Sequence, residues 1–353
     1  MCFLCIMDEE NSRFKGQINT VISEKKLDLT NKKILYMLSL NARFGYNTIA
    51  KSLNIKREVV NYRIKKLEEE QFLEGFFSLI DVTRIGYQMY LIYLKLYNTK
   101  NYKEILQKFN ENKKITRIKE VSGAYDLQLV VTSRNVTEAD QIIDKILDEF
   151  GDNIKNYVIL RLVEEDFTGL EILLDDEEIK KINIKEPKGS SFQNEFLKRK
   201  TMDEKINIDE KDKEILKIIH LNARESIKNI SEKVNLAPIA VENRIKKLIT
   251  HGIIKSMYPL FNIGQLGYQW HKVLIQVKNI NKIHFLEYLK NHKNILWYMK
   301  LIGAWNYQFS VFAKNTAEFH QIIEELRNKF SDNLIAYDSL VVLNQQKFMH
   351  DLD

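Results

Sequence analysis

Asn41-Ala42-Arg43, Arg63-Ile64-Lys65-Lys66-Leu67 and Gly86-Tyr87-Gln88 return later in the same chain as Asn222-Ala223-Arg224, Arg244-Ile245-Lys246-Lys247-Leu248 and Gly267-Tyr268-Gln269, each 181 residues on. Further along, Gly123-Ala124 returns as Gly303-Ala304 and Gln141-Ile142-Ile143 as Gln321-Ile322-Ile323, now 180 residues on, so one residue has been lost between matched stretches. A period this long, shared by helix-like and strand-like segments, describes a whole protein copied once and excludes a solenoid of short repeats. The copies run from about Leu27 to Thr168 and from about Ile208 to Lys347.

Each copy divides into two parts. The first parts cover 27–80 and 208–261 and the second 81–168 and 262–347, with an N-terminal extension over 1–26 and a tail over 348–353. Between the copies lies 169–207, rich in Lys, Glu and Asp, whose apolar cluster Phe192, Phe196 and Leu197 predicts one short helical turn in an otherwise solvated tether. A flexible tether of that length spans about 30 to 35 Å, enough to let the two copies pair within one chain.

The chain of 353 residues is 44% hydrophobic and 29% charged, with 3 Pro and 12 Gly, which excludes Pro- or Gly-rich linkers and fits globular domains. The net charge of +6 permits a nucleic-acid partner without requiring one. Cys2 and Cys5 have no further Cys to complete a four-thiolate zinc site, and are read as belonging to a frayed start. The apolar run Met1 to Met7 has no basic residues before it and is too short for a membrane span, and no later stretch reaches spanning length without charges. A cytoplasmic protein with no membrane contact is expected.

In the first part, Leu27, Ile34, Leu35 and Leu38 mark one helical face that stops near Asn41. A second short helix, Thr48 to Leu53, is separated by Asn54-Ile55-Lys56 from a third, Arg57 to Glu69. Asn54, and Asn235 in the copy, stand where a tight helix–helix turn demands a left-handed residue, a conformation Asn tolerates. In the third helix Val60, Ile64 and Leu67 share one face, leaving Arg57, Asn61 and Lys65 on another. Arg and Asn at four-residue spacing can lie in a major groove and make bidentate base contacts, and Lys51, Lys56 and Lys66 add phosphate-directed charge. The stripe by itself fits the solvated face of an amphipathic helix equally well.

Leu27-Asp28 through Ile34-Leu35, Asn41-Ala42-Arg43, and Val60-x-x-Arg63-Ile64-x-x-Leu67-Glu68 resemble the N-terminal domain of the Lrp/AsnC family of feast/famine regulators, and the second copy repeats the pattern from Ile208-Asp209 to Leu248. The resemblance covers most of the chain. It implies a winged, three-helix helix-turn-helix domain that binds double-stranded DNA through Lys51, Lys56, Arg57, Asn61, Tyr62, Arg63, Lys65 and Lys66 in copy one and Asn243, Arg244, Lys246 and Lys247 in copy two. The copies differ: Asn31 stands where copy two keeps the family's Asp212, and Lys56-Arg57 becomes Ala237-Pro238, with Glu242 on the groove face. Pro238 suits a first helical position. Copy two is therefore expected to bind duplex more weakly.

The second part alternates in strand fashion over Tyr87 to Tyr97, then reads as helix Tyr102 to Phe109, strands Ile115 to Val121 and Leu127 to Thr132, helix Val136 to Phe150, and strand Ile154 to Val163. That order, βαββαβ, is ferredoxin-like, so the fold class is α+β throughout. Copy two follows as Tyr268 to Lys278, Lys282 to Asn291, Ile295 to Leu301, Tyr307 to Ala313, Thr316 to Phe330 and Leu334 to Leu343. The turn Gly123-Ala124-Tyr125-Asp126 resembles the family's Gly-x-x-Asp segment, which implies a small-molecule effector, an amino acid by class, held near Gly123, Tyr125 and Asp126 and, in altered form, near Gly303, Trp305 and Asn306. Read without the family, Gly and Asp are simply what a hairpin turn needs.

Two other functions are compatible with this architecture. Siroheme decarboxylases use the same tandem of units, and all seven histidines (His220, His251, His271, His284, His292, His320 and His350) fall in or after copy two. No two share the i, i+4 spacing of a helical metal pair, and no phosphate loop or nucleophile motif is present, so no cofactor, metal or catalytic group is expected. A sensor or scaffold without DNA recognition is the other alternative, opposed by the basic third helix of copy one. The favoured reading is a transcription regulator built as an intramolecular pseudo-dimer, with room for further homo-oligomerisation.

Overall fold

The computed structural model describes residues 27–97, 101–184 and 207–348. Cys2, Cys5, the Met1–Met7 run, the Phe192, Phe196 and Leu197 cluster and His350 lie outside the described residues. Two compact units are present, and each draws on both copies: of the described residues, 27–86 join 169–184 and 207–261 in one, and 87–97 and 101–168 join 262–348 in the other.

In the helical unit, copy one contributes α1 (Leu29–Leu40), α2 (Tyr46–Leu53), α3 (Arg57–Glu69) and strand β1 (Leu73–Ile80). Asp28 caps α1 by accepting the Asn31 N–H at 2.7 Å. Asn54 ends α2 at φ 54 and Asn235 ends the equivalent helix at φ 52, the left-handed turn expected of both. Val60, Ile64 and Leu67 of α3 are buried against α1 and α2, at about 1.5–3 kcal/mol per fully buried side chain. Copy two repeats the set as α7 (Glu210–Leu221), α8 (Ile227–Val234), α9 (Pro238–Thr250) and β6 (Ile254–Phe261).

The two copies of this unit are joined by an antiparallel β1–β6 ladder running from Leu73↔Phe261 to Ile80↔Ile254. The Asn-Ala-Arg tripeptide that betrays the duplication crosses the same seam. Ala42 N–H donates to Met257 O at 2.8 Å, and Ala223 N–H to Phe76 O at 3.0 Å. Arg43 Nη1 reaches Ala223 O and Arg224 Nη1 reaches Ala42 O, both at 2.7 Å. Burial, with Arg224 adding repulsion, lowers the Arg43 pKa to about 10.

The tether expected over 169–207 begins as packed structure. Leu170, Leu173, Leu174 and Ile182 are buried, a short helix α6 spans Asp176–Lys181, and Leu170 N–H bonds the Ser39 hydroxyl on α1 at 3.1 Å. The run Leu170-Glu171-Ile172-Leu173-Leu174 carries most of this packing, an apolar cluster that the charge-rich composition of the whole segment hides.

The sheet unit holds, from copy one, β2 (Gln88–Leu96), α4 (Tyr102–Glu111), β3 (Ile115–Ser122), β4 (Leu127–Ser133), α5 (Val136–Phe150) and β5 (Ile154–Phe167). Copy two gives β7 (Gln269–Val277), α10 (Lys282–Asn291), β8 (Ile295–Ile302), β9 (Tyr307–Ala313), α11 (Thr316–Lys329) and β10 (Leu334–Phe348). The βαββαβ order is therefore realised twice. The eight strands close into one barrel in the order β10-β3-β4-β2-β5-β8-β9-β7. Closure depends on β5 and β10, which run past the expected ends at Val163 and Leu343. β5 pairs with β2 of its own copy and then, from Arg161↔Ile302 to Phe167↔Trp297, with β8 of the other. β10 does the same with β7 and β3. Helices cover one face of each half-barrel, where Ile105, Phe109, Ile142 and Ile146 pack on Ile92, Leu94 and Leu129. The alternate strand residues face the barrel interior.

Candidate nucleic-acid interface and effector turn

The two third helices belong to one unit, fixed to each other through the β1–β6 ladder and the reciprocal arginine bonds. On α3, Lys56, Arg57, Lys65 and Lys66 are exposed, Asn61 is half-buried beside them, and Tyr62 is 65% exposed, so its ring stands clear of the core. Lys51 on α2 is also exposed. Lys56, Arg57, Lys65 and Lys66 thus give four exposed cations on α3 and its N-cap, with Glu58 the single acid of the first turn. On α9 the corresponding face starts with Pro238 and an Ile239 that is 63% exposed, and Lys246 is paired with Glu242 at 3.2 Å. Asn243 and Lys247 remain exposed. The copy-two face is thus less basic, as the sequence comparison anticipates.

Arg63 and Arg244 do not join this face. Arg63 Nη1 donates to Asp28 Oδ2 at 2.6 Å and to Asn31 Oδ1 at 2.9 Å, both on the first turn of α1. Arg244 Nη1 holds both oxygens of Asp209 and Oδ1 of Asp212, each at 2.8 Å. Burial pushes the Asp28 carboxyl up, but the Arg63 guanidinium and the Asn31 N–H outweigh it and leave it lowered. The Asp212 N–H and then Arg244 lower Asp209. These arginines clasp the third helix to the cap of the first. The signal was present in the sequence: an acid cap and an acid or amide three residues later recur with the arginine at the same offset in both copies. Sequence reading also passed over Val59 and Ile239, exposed apolar side chains near the start of the third helices.

The Gly-x-x-Asp turn is tied into barrel closure. Gly123 adopts φ +139, and a Cβ there would sit 2.9 Å from Leu340 Cδ2 and 2.9 Å from Ser339 O on β10. Gly303, at φ +137, meets Leu160 Cδ2 at 2.8 Å and Ile159 O at 3.2 Å on β5. Each glycine lets its hairpin approach a strand of the opposite copy. Tyr125 is buried, its ring centroid 5.3 Å from that of Tyr93, and burial followed by the charge of Asp338 on the other copy raises its pKa. Asp126 accepts Lys95 Nζ at 2.9 Å and the Leu96 N–H at 2.8 Å. In copy two Asn306 Oδ1 accepts the Val277 N–H at 2.7 Å, and Gln276 stands where Lys95 stands. The backbone bond is kept while the ion pair is exchanged for a neutral pair.

Beside Asp126 opens a groove of about 700 Å³ lined by Tyr102, Lys103, Glu104, Glu120, Ser122 and Leu343. Tyr102 donates to Glu120 at 2.8 Å, and burial followed by that carboxylate raises its pKa strongly. The histidines are dispersed. His220 is buried against Ser78 O at 3.0 Å, and His271 stacks on Phe319 at 4.1 Å with its pKa lowered to about 4 by burial. Among the described residues no three His, Cys, Asp or Glu side chains gather to hold a metal ion. No helix among them is long and apolar enough to cross a membrane.

Comparison with known proteins matches 27–74 and 208–255 to a family described as winged helix-turn-helix DNA-binding. An HTH-type transcriptional regulator of Pyrococcus abyssi (strain GE5 / Orsay) is 30% identical over 142 residues, which is 40% of this chain and 97% of that protein. The crystal structure of the siroheme decarboxylase NirDL superposes with a TM-score of 0.59 over 91% of this chain and 93% of its own, at 14% identity, a likeness of fold. E. coli AsnC matches at 23% identity over 40% of this chain and 94% of its own, with a TM-score of 0.34.

Proposed function

The chain belongs to the Lrp/AsnC family of helix-turn-helix transcription regulators, and from that premise we propose that it reads a pseudo-palindromic duplex site with unequal halves under the control of a small metabolite. The observation that carries the reading is the seam within the helical unit: two recognition helices, one basic and one less so, held by one backbone ladder. A rigidly coupled pair of unequal helices favours a duplex whose two half-sites differ. Copy one supplies the stronger half through Arg57, Asn61, Tyr62, Lys65 and Lys66, and copy two the weaker through Asn243, Lys246 and Lys247.

The groove beside Asp126 suits an amino-acid effector, because Lys103 can meet a carboxylate and Glu104 or Glu120 an ammonium. A neighbour of the fold, a regulator from Neisseria meningitidis, was crystallised as an L-Met complex. Occupancy would act through whatever difference in affinity the ligand has for DNA-competent and DNA-incompetent states. The resemblance to NirDL is accommodated as shared architecture, and the dispersed histidines give it no catalytic support.

The test is a fluorescence-anisotropy titration of the full chain against duplexes selected from genomic fragments, over a range of salt. Each phosphate contact steepens the log–log salt slope by about 0.9. Arg57→Ala or Lys65→Ala should flatten that slope by about one contact, and Lys247→Ala should do less. Absence of binding at low salt would refute the reading.

A further inference from the structure

Barrels of this kind fill their interior with side chains that alternate with the helix-covered ones, and most here are apolar. One sector is not. Arg117, Lys119 and Lys272 are 1%, 6% and 2% exposed, and a single carboxylate, Glu165 at 4%, stands with them. Arg117 and Glu165 form a two-pronged pair at 2.8 and 2.9 Å. Lys119 and Lys272 make no hydrogen bond or ion pair among the described residues. Their ammonium groups lie 5.5 and 5.8 Å from the centroid of one ring, Trp270, whose buried Nε1–H also lacks an acceptor. Lys119 and Arg117 in turn share the Phe348 ring, at 5.9 and 4.8 Å.

Burying an ammonium without a partner is strongly unfavourable, and cation–π contact offsets only part of the cost. Among the described residues three basic side chains share one carboxylate, so the two lysine amines have no counter-charge there, and the Trp270 indole N–H adds an unanswered donor. The cluster is also absent from the pseudo-symmetric position. Trp297 stands in place of Arg117, Met299 in place of Lys119, Leu91 in place of Lys272 and Gln345 in place of Glu165. Packing and barrel closure are therefore satisfied elsewhere in the same barrel without these charges, so closure does not demand them.

We propose that this sector of the barrel interior is a binding site for the oxyanion of a small metabolite carrying two negative charges, a dicarboxylate or a phosphate ester, gripped by Lys119, Lys272 and the Trp270 indole N–H, with the Arg117–Glu165 pair as its fixed wall. The site is separate from the groove beside Asp126 and stands whether or not that groove binds an amino acid. Burial and the neighbouring Arg117 lower Lys119 to about 7, and burial with Lys119 and Arg117 holds Lys272 well below the usual lysine range, so the empty site sheds protons and a bound anion draws them back.

The experiment uses the full chain, first by native mass spectrometry as purified and then, after exhaustive dialysis into chloride, by calorimetry with succinate and with inorganic phosphate at matched ionic strength. Saturable binding of either probe, with proton uptake seen by comparing buffers of different ionisation heat, is the expected result. The probe that binds more tightly distinguishes carboxylate from phosphate. Lys119→Met and Lys272→Met should abolish binding while raising the apparent Tm of the ligand-free protein, since each removes a buried amine that has no counter-charge there. Trp270→Phe keeps the ring and should weaken binding about five-fold, the loss of one hydrogen bond. A co-purifying small anion retained by wild type and missing from Lys272→Met supports the site equally. The proposal is overturned if neither probe binds and no anion co-purifies, or if the methionine variants bind as wild type does.

Discussion

Replacing Arg244 by Met removes the clasp between α9 and the cap of α7, and its cost can be worked from the contacts. Arg244 donates to Asp209 and to Asp212, and the Asp212 side chain is only 4% exposed, so its carboxylate loses a charged partner in a place water reaches poorly. Hydrogen bonds to charged groups are worth about 1.5–3 kcal/mol. Arg244 itself is 29% exposed, which places the loss nearer the lower end, at roughly 2 kcal/mol. Arg63→Met in copy one removes a contact to Asp28, which is 54% exposed, and one to the neutral Asn31, a half-exposed interaction worth about 0.5–1 kcal/mol. The assay is urea unfolding followed by far-UV circular dichroism, with tryptophan fluorescence as an internal control. All three tryptophans, Trp270, Trp297 and Trp305, lie in the sheet unit, so the fluorescence transition should hold still while the helical signal moves. With m of about 1–3 kcal/mol per molar urea, Arg244→Met should lower the helical midpoint by about 1 M and Arg63→Met by less than half of that. Asp212→Asn, which makes copy two resemble copy one, should bring the Arg244→Met penalty down toward the Arg63→Met value. Equal penalties in the two copies, or DNA binding lost in Arg63→Met with no change in stability, would refute the clasp and return these arginines to the DNA face.

Other expectations follow from the same geometry. Gly123→Ala places a Cβ against the Ser339 carbonyl, which cannot yield as a side chain can, and with the positive φ should cost about 2–4 kcal/mol; Gly303→Ala, whose closest neighbour is the Leu160 side chain, should cost less, both read by tryptophan-monitored unfolding. The double change Lys95→Gln with Asp126→Asn imposes copy two's turn on copy one, and should alter stability by under about 1 kcal/mol while calorimetry loses any heat of amino-acid binding; an unchanged isotherm would remove Asp126 from the effector site. The carboxyls of Asp28 and Asp209 are lowered in the folded protein, so their stabilisation is complete above the unfolded value near pH 4 and fades as pH falls through the folded values. The helical-unit midpoint should therefore fall steeply below about pH 4, and Arg244→Met should flatten that fall.

The sequence by itself determines the duplication, the α+β class and nearly every helix and strand. These rest on short-range rules: 3.6-residue and two-residue periodicities, an acid cap three residues from the N–H it accepts, and an Asn where a left-handed turn is needed. Asn54, Asn235 and the exposed stripe of Arg57, Tyr62 and Lys65 are legible for that reason. What the tertiary structure alone decides is which distant groups meet. Arg63 shares a helix with the exposed basic residues, yet its partner lies 35 residues away, so spacing on the helix alone does not show the bond. The ends of β5 and β10, carrying Glu164, Glu165 and Asp166 or Asn344 and Gln345, read as strand ends until the opposite copy is there to receive them. Gly123 reads as a turn residue until Ser339 and Leu340 stand against it. The buried cluster of Arg117, Lys119 and Lys272 comes from strands 155 residues apart at its extremes, and looks in sequence like three ordinary surface charges. Local pattern reports which side of an element faces inward; it carries no record of what another copy of the chain brings to meet it, because that depends on chain closure over long separations.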